Sequence, residues 1–358
     1  MSIPGSRPTV VGVFDWSAPA GAEVSLSNPV IPLPYRADLL TSNASLDLEL
    51  VPPASRRAHR KLRDVVEHRS GAKLDLMLRA APRLRRAEAV LVFLEQHFAA
   101  LSWARRHRLP PYAGRPVVGI SCWWAEELVA GTRDAAEVVR DMSGVDKLVV
   151  FSSNQQEIFA RAGVDRQRVH PVLFGADHEY FTPCGTPERF DVLAVGTDRG
   201  RDWATLVEAA RRLPQHRFDI VTGPGRIDMT TVPSNVTVHP PTDFSTYRDL
   251  LRSARLVVVP TFDLAYPTGQ SVLLEAMACG RCVIVAGTEA MSEYIEDGRW
   301  NLQVPPRDPA ALAARVEAAL ADDELRHDVG SGARAAVEEH FTFARMWGDI
   351  GAEILELL

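Results

Sequence analysis

Cysteine is scarce in this chain, four residues among 358, and at this length that excludes a fold held together by disulfides. Cys279 and Cys282 form a CxxC spacing, but no second pair stands with it to complete a zinc site. Cys279 ends a helical pattern and Cys282 opens a strand, so both are read as packing residues. Long apolar runs are lacking too: nothing approaches the roughly 18 residues that a membrane-spanning helix requires. The opening MSIPGSRPTVVGVFDW has no basic start, apolar centre or cleavage site of a secretory signal. A reducing cytoplasm is therefore the expected location. Nor is there a broad excess of one charge. The formal net charge is −6, with +3 on residues 1–185 and −9 on the remainder. A general nucleic-acid binder, basic across a whole face, is excluded.

What is present is ordinary in amount and informative in order. Apolar residues make up 46% and charged residues 24%, the balance of a soluble globular protein. A length of 358 residues exceeds what one hydrophobic core usually serves, so two domains are expected. Apolar runs at Val10–Phe14, Leu46–Val51, Val90–Leu94, Val117–Ile120 and Leu148–Phe151 alternate with helical patterns such as Glu95–Arg106 and Gln155–Ala162. Strand and helix in alternation predict a parallel sheet covered on both faces. Residues 17–45, with four prolines and little helical periodicity, break that order. The turn-rich FGADHEYFTPCGTPER, residues 174–189, reads as a linker.

A second alternating series follows: Val192–Val195, Trp203–Leu213, Phe218–Thr222, Val236–His239 and Phe244–Ser253, with the helices Pro309–Ala321 and Asp323–His340 closing it. The fold class is α/β, two Rossmann-like domains facing a central cleft, residues 1–185 and 186–342. Ligand is expected at the C-terminal strand edges. The last helix, 343–358, lies beyond a turn and is free to pack back on the first domain.

The most informative segment is LVVVPTFDLAYPTGQSVLLEAMACGRCVIVAG, from Leu256 to Gly287. Val257, Val258 and Val259 make a β-branched strand ended by Pro260, and a loop carrying Pro267, Gly269, Gln270 and Ser271 leads into a helix. Gly280 stops that helix, and Val283–Val285 form the next strand. A helix opening beside a strand end offers free backbone N–H groups and a positive dipole end, which suits phosphate. Glu275 is the one charge between Val272 and Ala278. A buried carboxylate needs a partner, and a ribose diol would serve. A packed helix whose Glu275 reaches solvent is the competing reading.

Residues 56–86 hold 11 Lys/Arg, Arg56, Arg57, Arg60 and Lys61 among them, against three acids, a local +8. Leu62, Val65 and Val66, then Leu74, Leu76, Met77 and Leu78, would make an apolar stripe. Contact with an anionic membrane or acceptor is one reading. A solvated surface helix pair is the other.

Taken together, the segments resemble the retaining GT-B glycosyltransferases of family 4, the glycosyl transferases group 1 family. The pieces that carry the likeness are VDKLVVFSSNQQEIF, RVHPVLFGADHEYFTP, VLAVGTDRGRDWATLVEAARRL, GQSVLLEAMACGRCVIVAG, YIEDGRWNLQVPPRDPAAL and RAAVEEHFT. They run in order between Val145 and Phe341; the N-terminal 120 residues match poorly. The resemblance implies that Glu275, the second carboxylate of an E-x7-E signature, holds the donor ribose. The first glutamate, which contacts the transferred sugar in relatives, falls on Pro267, with Asp263 on the same loop to take over. The amides of Thr268, Gly269, Gln270 and Ser271 would meet the donor phosphates. The family's Arg/Lys pair falls on Thr197, just after Gly196, and on Arg201, with Arg199 able to fill the missing role. The nucleobase would lie near Gly223 and the backbone of His239 and Pro240.

On the acceptor side, Ser121, Cys122, Trp123 and Trp124 stand where many relatives have a histidine. His97 is the alternative catalytic group, Gly21 a weak glycine-loop counterpart, and Trp123 with Trp124 either a sugar platform or core. No DxD-type metal site stands where this fold would use one, so metal independence is expected. There is no cofactor; the nucleotide sugar is a co-substrate.

The function implied is transfer of a sugar from a nucleotide-sugar donor to an acceptor hydroxyl with retained configuration. The acceptor would be a lipid, polysaccharide or secondary metabolite. High Arg, Ala and Pro content points to a GC-rich bacterial genome. Two other readings stand beside it: a degenerate GT-B protein that binds nucleotide or a partner without turnover, and a nucleotide-sugar epimerase.

Overall fold

The computed structural model describes residues 7–14, 34–52, 54, 56–70 and 73–358. The chain divides into two compact units, one of residues 1–172 and 346–358, the other of residues 173–345. The division thus falls ahead of the turn-rich 174–189 stretch, which belongs to the second unit. Ala176 pairs with Thr342 in an isolated parallel bridge there, which ties the stretch to the end of its own unit.

The first unit has strands β1 (Thr9–Phe14), β2 (Asp47–Leu50), β3 (Ala89–Phe93), β4 (Val117–Ile120), β5 (Lys147–Val150) and β6 (Val169–Pro171). They form a parallel sheet in the order β2-β1-β3-β4-β5-β6. Its central strands are buried along their whole length, which is why they read as continuous apolar runs rather than alternating ones. The expected helix over 95–106 differs in its first turn. Leu94 takes φ +83, Glu95–His97 form a 3-10 turn, and the α-helix begins at Phe98. From Met346 onward the last helix, Phe343–Leu355, belongs to this unit. Trp347 is fully buried, stands 6.1 Å from the Phe14 ring, and donates its indole N–H to the Tyr35 carbonyl at 2.6 Å.

The second unit carries β7 (Phe190–Val195), β8 (Phe218–Val221), β9 (Val236–His239), β10 (Ala254–Val259), β11 (Cys282–Ala286) and β12 (Leu302–Val304). Their order is β12-β11-β10-β7-β8-β9, again parallel. The chain runs outward from β7 through β8 to β9, then returns to β10 on the other side of β7. The gap between β7 and β10 is therefore the topological switch point, where loops leave the sheet in opposite directions and open a crevice. One face of the sheet packs Leu206, Ile220, Leu256, Val258, Ile284, Leu312 and Val316 into a common core. Burial of each such side chain is worth about 1.5–3 kcal/mol.

Helix starts in this unit follow a sequence rule. Asp243 and Asp308 each accept two backbone N–H groups, and Asp202 and Asp322 one each, at the start of the helices Phe244–Arg252, Pro309–Ala321, Trp203–Arg211 and Asp323–His340 respectively. These caps neutralise the donors that a helix start leaves unpaired. Cys279 and Cys282 are buried free thiols, both pushed up to about 12 by burial, the state of packing residues.

Residues 57–70 do form a helix, but an inverted one. His59 and Glu67 turn inward, the first toward Asp75 at 2.5 Å, the second toward Lys73 at 3.1 Å. Leu62, Val65 and Val66 are left 64%, 49% and 43% exposed, and Leu78 on the next helix 71%. No helix of the described residues is long and apolar enough to cross a membrane.

Candidate active site

The helix Gln270–Ala278 departs from the capping rule. Its N-cap is Gly269, in the left-handed conformation at φ +84, and no side chain caps its first turn. Glycine is required twice over here. An L side chain rarely adopts that φ, and a Cβ on Gly269 would stand 2.2 Å from Nη1 of Arg201. Across the switch point, Gly196 follows β7, and a Cβ there would stand 2.0 Å from Nε of Arg201. Two glycines thus leave room for one guanidinium.

The Arg201 side chain is 2% exposed. Its Nη2 lies 3.4 Å from the Asp198 carboxylate. Among the described residues, no acceptor reaches its Nε or Nη1. A buried cation with unpaired donors is costly, and such donors are able to take an anion.

The loops that hold this cation are stitched together. Arg201 and Thr261 form an antiparallel bridge; Phe262 N donates to Gly200 O at 2.9 Å and Asp202 N to Pro260 O at 3.0 Å. Thr268, buried, donates its hydroxyl to Asp198 at 3.1 Å, and Gly200 N donates to the same carboxylate oxygen at 2.8 Å. The ends of β7 and β10 therefore form one platform.

Glu275 lies one turn into the uncapped helix, half-buried, and accepts the Tyr247 hydroxyl at 2.6 Å. The partner that the sequence reading sought in a ligand is thus supplied by the chain for one carboxylate oxygen. Burial raises the Glu275 carboxyl to about 7, against the lowering influence of the Tyr247 hydrogen bond and the Arg201 charge. Burial and the facing carboxylate push the Tyr247 hydroxyl well above its ordinary value. Uncapped helix, buried cation and half-buried carboxylate all stand at the C-terminal edge of the sheet.

The remaining residues expected here are distributed as follows. Thr197 and Arg199 are exposed on the loop after β7, and Asp263 is exposed beyond β10, while Pro267 is buried. Gln270 and Ser271 are half-buried at the helix start. Gly223 follows β8 at the same sheet edge; His239, at the end of β9, is held by the buried Asp219 at 2.7 Å, and Pro240 beyond it is exposed.

In the first unit His97 is buried, 3% exposed. Glu95, two residues earlier, accepts the backbone N–H groups of Cys122 at 3.1 Å, Trp123 at 2.6 Å and Trp124 at 3.1 Å. Burial raises its carboxyl despite these bonds. Cys122 and Trp123 are half-buried on that turn. Trp124 is core, edge-on to Phe98 at 5.3 Å, so the two-tryptophan platform reduces to Trp123. Gly21 lies outside the described residues.

Sequence reasoning missed Tyr247, Asp198 and Glu95. Tyr247 sits in a helix pattern and shows its role only once that helix packs on the next. Asp198 looks like loop polarity, and Glu95 was overshadowed by His97 in the same EQH triplet.

The second unit is thus a doubly wound α/β domain with an uncapped helix start at its switch point and a carboxylate one turn further on. Residues 189–322 match the family described as glycosyl transferases group 1. It is 29% identical over 223 residues to a D-inositol 3-phosphate glycosyltransferase of Xylanimonas cellulosilytica, covering 53% of this chain and 52% of that one. To the enzyme of the same name from Mycobacteroides abscessus it is 30% identical over 235 residues, covering 59% and 51%. The chain spans about half the length of the curated relatives it matches.

Among solved structures, sucrose-phosphate synthase from Thermosynechococcus elongatus superposes with TM-score 0.71 at 17% identity, over 98% of this chain and 99% of that one. Anabaena HepE in complex with UDP and glucose gives 0.71 at 16%, over 98% and 100%. These likenesses establish the fold as GT-B, two Rossmann-like domains.

Proposed function

We propose that the chain is a retaining glycosyltransferase that moves a sugar from a nucleotide-sugar donor to an acceptor hydroxyl without a metal. The observation that carries this reading is Arg201, a buried guanidinium with two unpaired donor groups beside an uncapped helix start. A departing nucleoside diphosphate gains negative charge as its bond to the sugar breaks. Preorganised cations and helix dipoles stabilise that charge by several kcal/mol in many enzymes. Arg201 and the amides near Gly269–Ser271 would do so here, Glu275 would hold the ribose, and Gly223 with His239–Pro240 would flank the base. The sugar's anomeric bond to phosphate breaks as its bond to the acceptor oxygen forms on the same face, and the leaving phosphate takes the acceptor proton. No nucleophilic carboxylate is needed, unlike the paired carboxylates of glycosidases.

The acceptor side is assigned to the first unit, with Cys122 and Trp123 on the turn that Glu95 holds. The relatives named as inositol-phosphate glycosyltransferases make a hydroxylated acceptor the natural class. Peripheral contact with an anionic membrane through residues 56–86 is part of the proposal, supported by the outward apolar residues of helix Arg57–Ser70 among basic neighbours.

Arg201→Ala and Glu275→Ala tested against a panel of UDP-, GDP-, ADP- and dTDP-linked sugars decide the matter. Each should depress turnover at least about 100-fold while leaving the fold intact. Wild-type transfer rates in both variants would end the assignment. A non-catalytic nucleotide-binding relative is the second reading. It is favoured by Pro267 and by Asp198, whose carboxylate already sits beside Arg201. Nucleotide binding without turnover over the whole panel would establish it.

A further inference from the structure

We propose that Tyr247 is a positioning residue for the nucleotide: it pins one oxygen of the Glu275 carboxylate so that the other is presented to a ribose diol. The inference rests on the reading of the site above and adds a residue from a separate helix.

Three observations carry it. The Tyr247 hydroxyl donates to Oε2 of Glu275 at 2.6 Å, across the boundary between helices Phe244–Arg252 and Gln270–Ala278. The tyrosine ring is held from behind: Phe181 packs against it edge-on at 5.9 Å, and Phe244 lies 6.2 Å away. The helix carrying it is fixed at its start by Asp243, which accepts the N–H groups of Ser245 and Thr246. The hydroxyl is thus a fixed donor rather than a swinging one. A glutamate's terminal torsion is otherwise broad, and a diol needs the carboxylate plane set before it arrives.

The hydroxyl has a second consequence. The charged and titratable groups facing Glu275 are Tyr247 from the neighbouring helix, Arg201 from the loop after β7, and Cys279 one turn on along its own helix. Cys279, its thiol pushed up by burial, stays neutral at ordinary pH. Tyr247 and Arg201 alone favour the ionised carboxylate against burial. Removing the hydroxyl therefore moves ionisation of Glu275 to higher pH. A diol donates hydrogen bonds and prefers the ionised acceptor, so nucleotide affinity follows that ionisation.

The test is titration calorimetry of the full chain with UDP, GDP, ADP and dTDP from about pH 6 to about pH 9, on wild type, Tyr247→Phe and Glu275→Gln. Tyr247→Phe keeps the ring and its packing, and a thermal melt verifies that it is folded. Wild type should bind at least one nucleotide, more tightly as pH rises through neutrality. Tyr247→Phe should bind about tenfold more weakly near pH 7, the loss of one hydrogen bond to a charged group. Its midpoint should lie at higher pH, and its deficit should narrow toward pH 9. Glu275→Gln should bind weakly with a flat profile. A Tyr247→Phe protein with wild-type affinity and midpoint overturns the inference alone. A wild-type protein that binds none of the four nucleotides overturns the reading of the site, and the inference with it.

Discussion

Glu275→Gln should remove a pH dependence from the stability of the second unit. In the folded chain the carboxyl keeps its proton up to about 7, against an ordinary value of 4.5, and burial is the main cause. Between those two values the folded state binds the proton more tightly than the unfolded state does. This group's contribution is therefore most favourable at low pH and declines as pH rises from 4.5 to about 7. The rise from 4.5 to about 7, at about 1.4 kcal/mol per pH unit, bounds the cost of the ionised group at about 3.5 kcal/mol. Solvent contact of the half-buried carboxylate reduces this to about 1–2 kcal/mol.

In a unit of this size that is about 3–6 °C of melting midpoint. The assay is calorimetric melting of both proteins at matched ionic strength from about pH 5 to about pH 8, where every other titrating group is common to the pair. The midpoint of the variant, measured relative to wild type, should rise by about 3–6 °C over that range. A difference constant to within about 1 °C would refute the claim that burial governs this carboxylate.

Gly269→Ala should cost about 1–2 kcal/mol in urea unfolding, because an L side chain is strained at that backbone angle. The same change should weaken nucleotide binding more than tenfold in calorimetry, since the new Cβ drives Arg201 from its place. Leu62→Glu combined with Val65→Glu should abolish sedimentation with phosphatidylserine vesicles and leave donor turnover in solution unchanged; vesicle binding at wild-type strength in the variant would remove the membrane contact from the proposal. Exhaustive chelation with EDTA should leave transfer rates unaltered, and a loss restored by a divalent cation would overturn metal independence.

Much of the second unit was legible in sequence because its signals are local. Buried parallel strands show as β-branched runs, Asp at a helix start declares a cap, and Gly280 at φ +69 closes a helix as its type suggests. The helices Pro309–Ala321 and Asp323–His340 begin and end at the expected residues. Other features lacked a local signal. The 3-10 turn at Glu95–His97 depends on Leu94 at φ +83, a conformation that leucine does not advertise. The outward apolar face of helix Arg57–Ser70 looked in sequence like a stripe of unknown direction. Only packing showed that its polar residues His59 and Glu67 turn inward.

The sequence by itself determined that two α/β domains follow one another, that a helix opens after the loop of Gly269, Gln270 and Ser271 beside a strand end, and that Glu275 is the charge within it. Each of these follows from residue type and spacing along a few turns of chain. The structure starts that helix two residues earlier than Val272, at Gln270. Tertiary structure alone decided what those residues face. It set β10 next to β7 and so put the Gly269 helix start at a switch point, brought Arg201 between two glycines 73 positions apart along the chain, and gave Glu275 the Tyr247 hydroxyl as a partner. Such contacts join residues distant in sequence. The buried environment that sets their protonation exists only when helices and loops close over them.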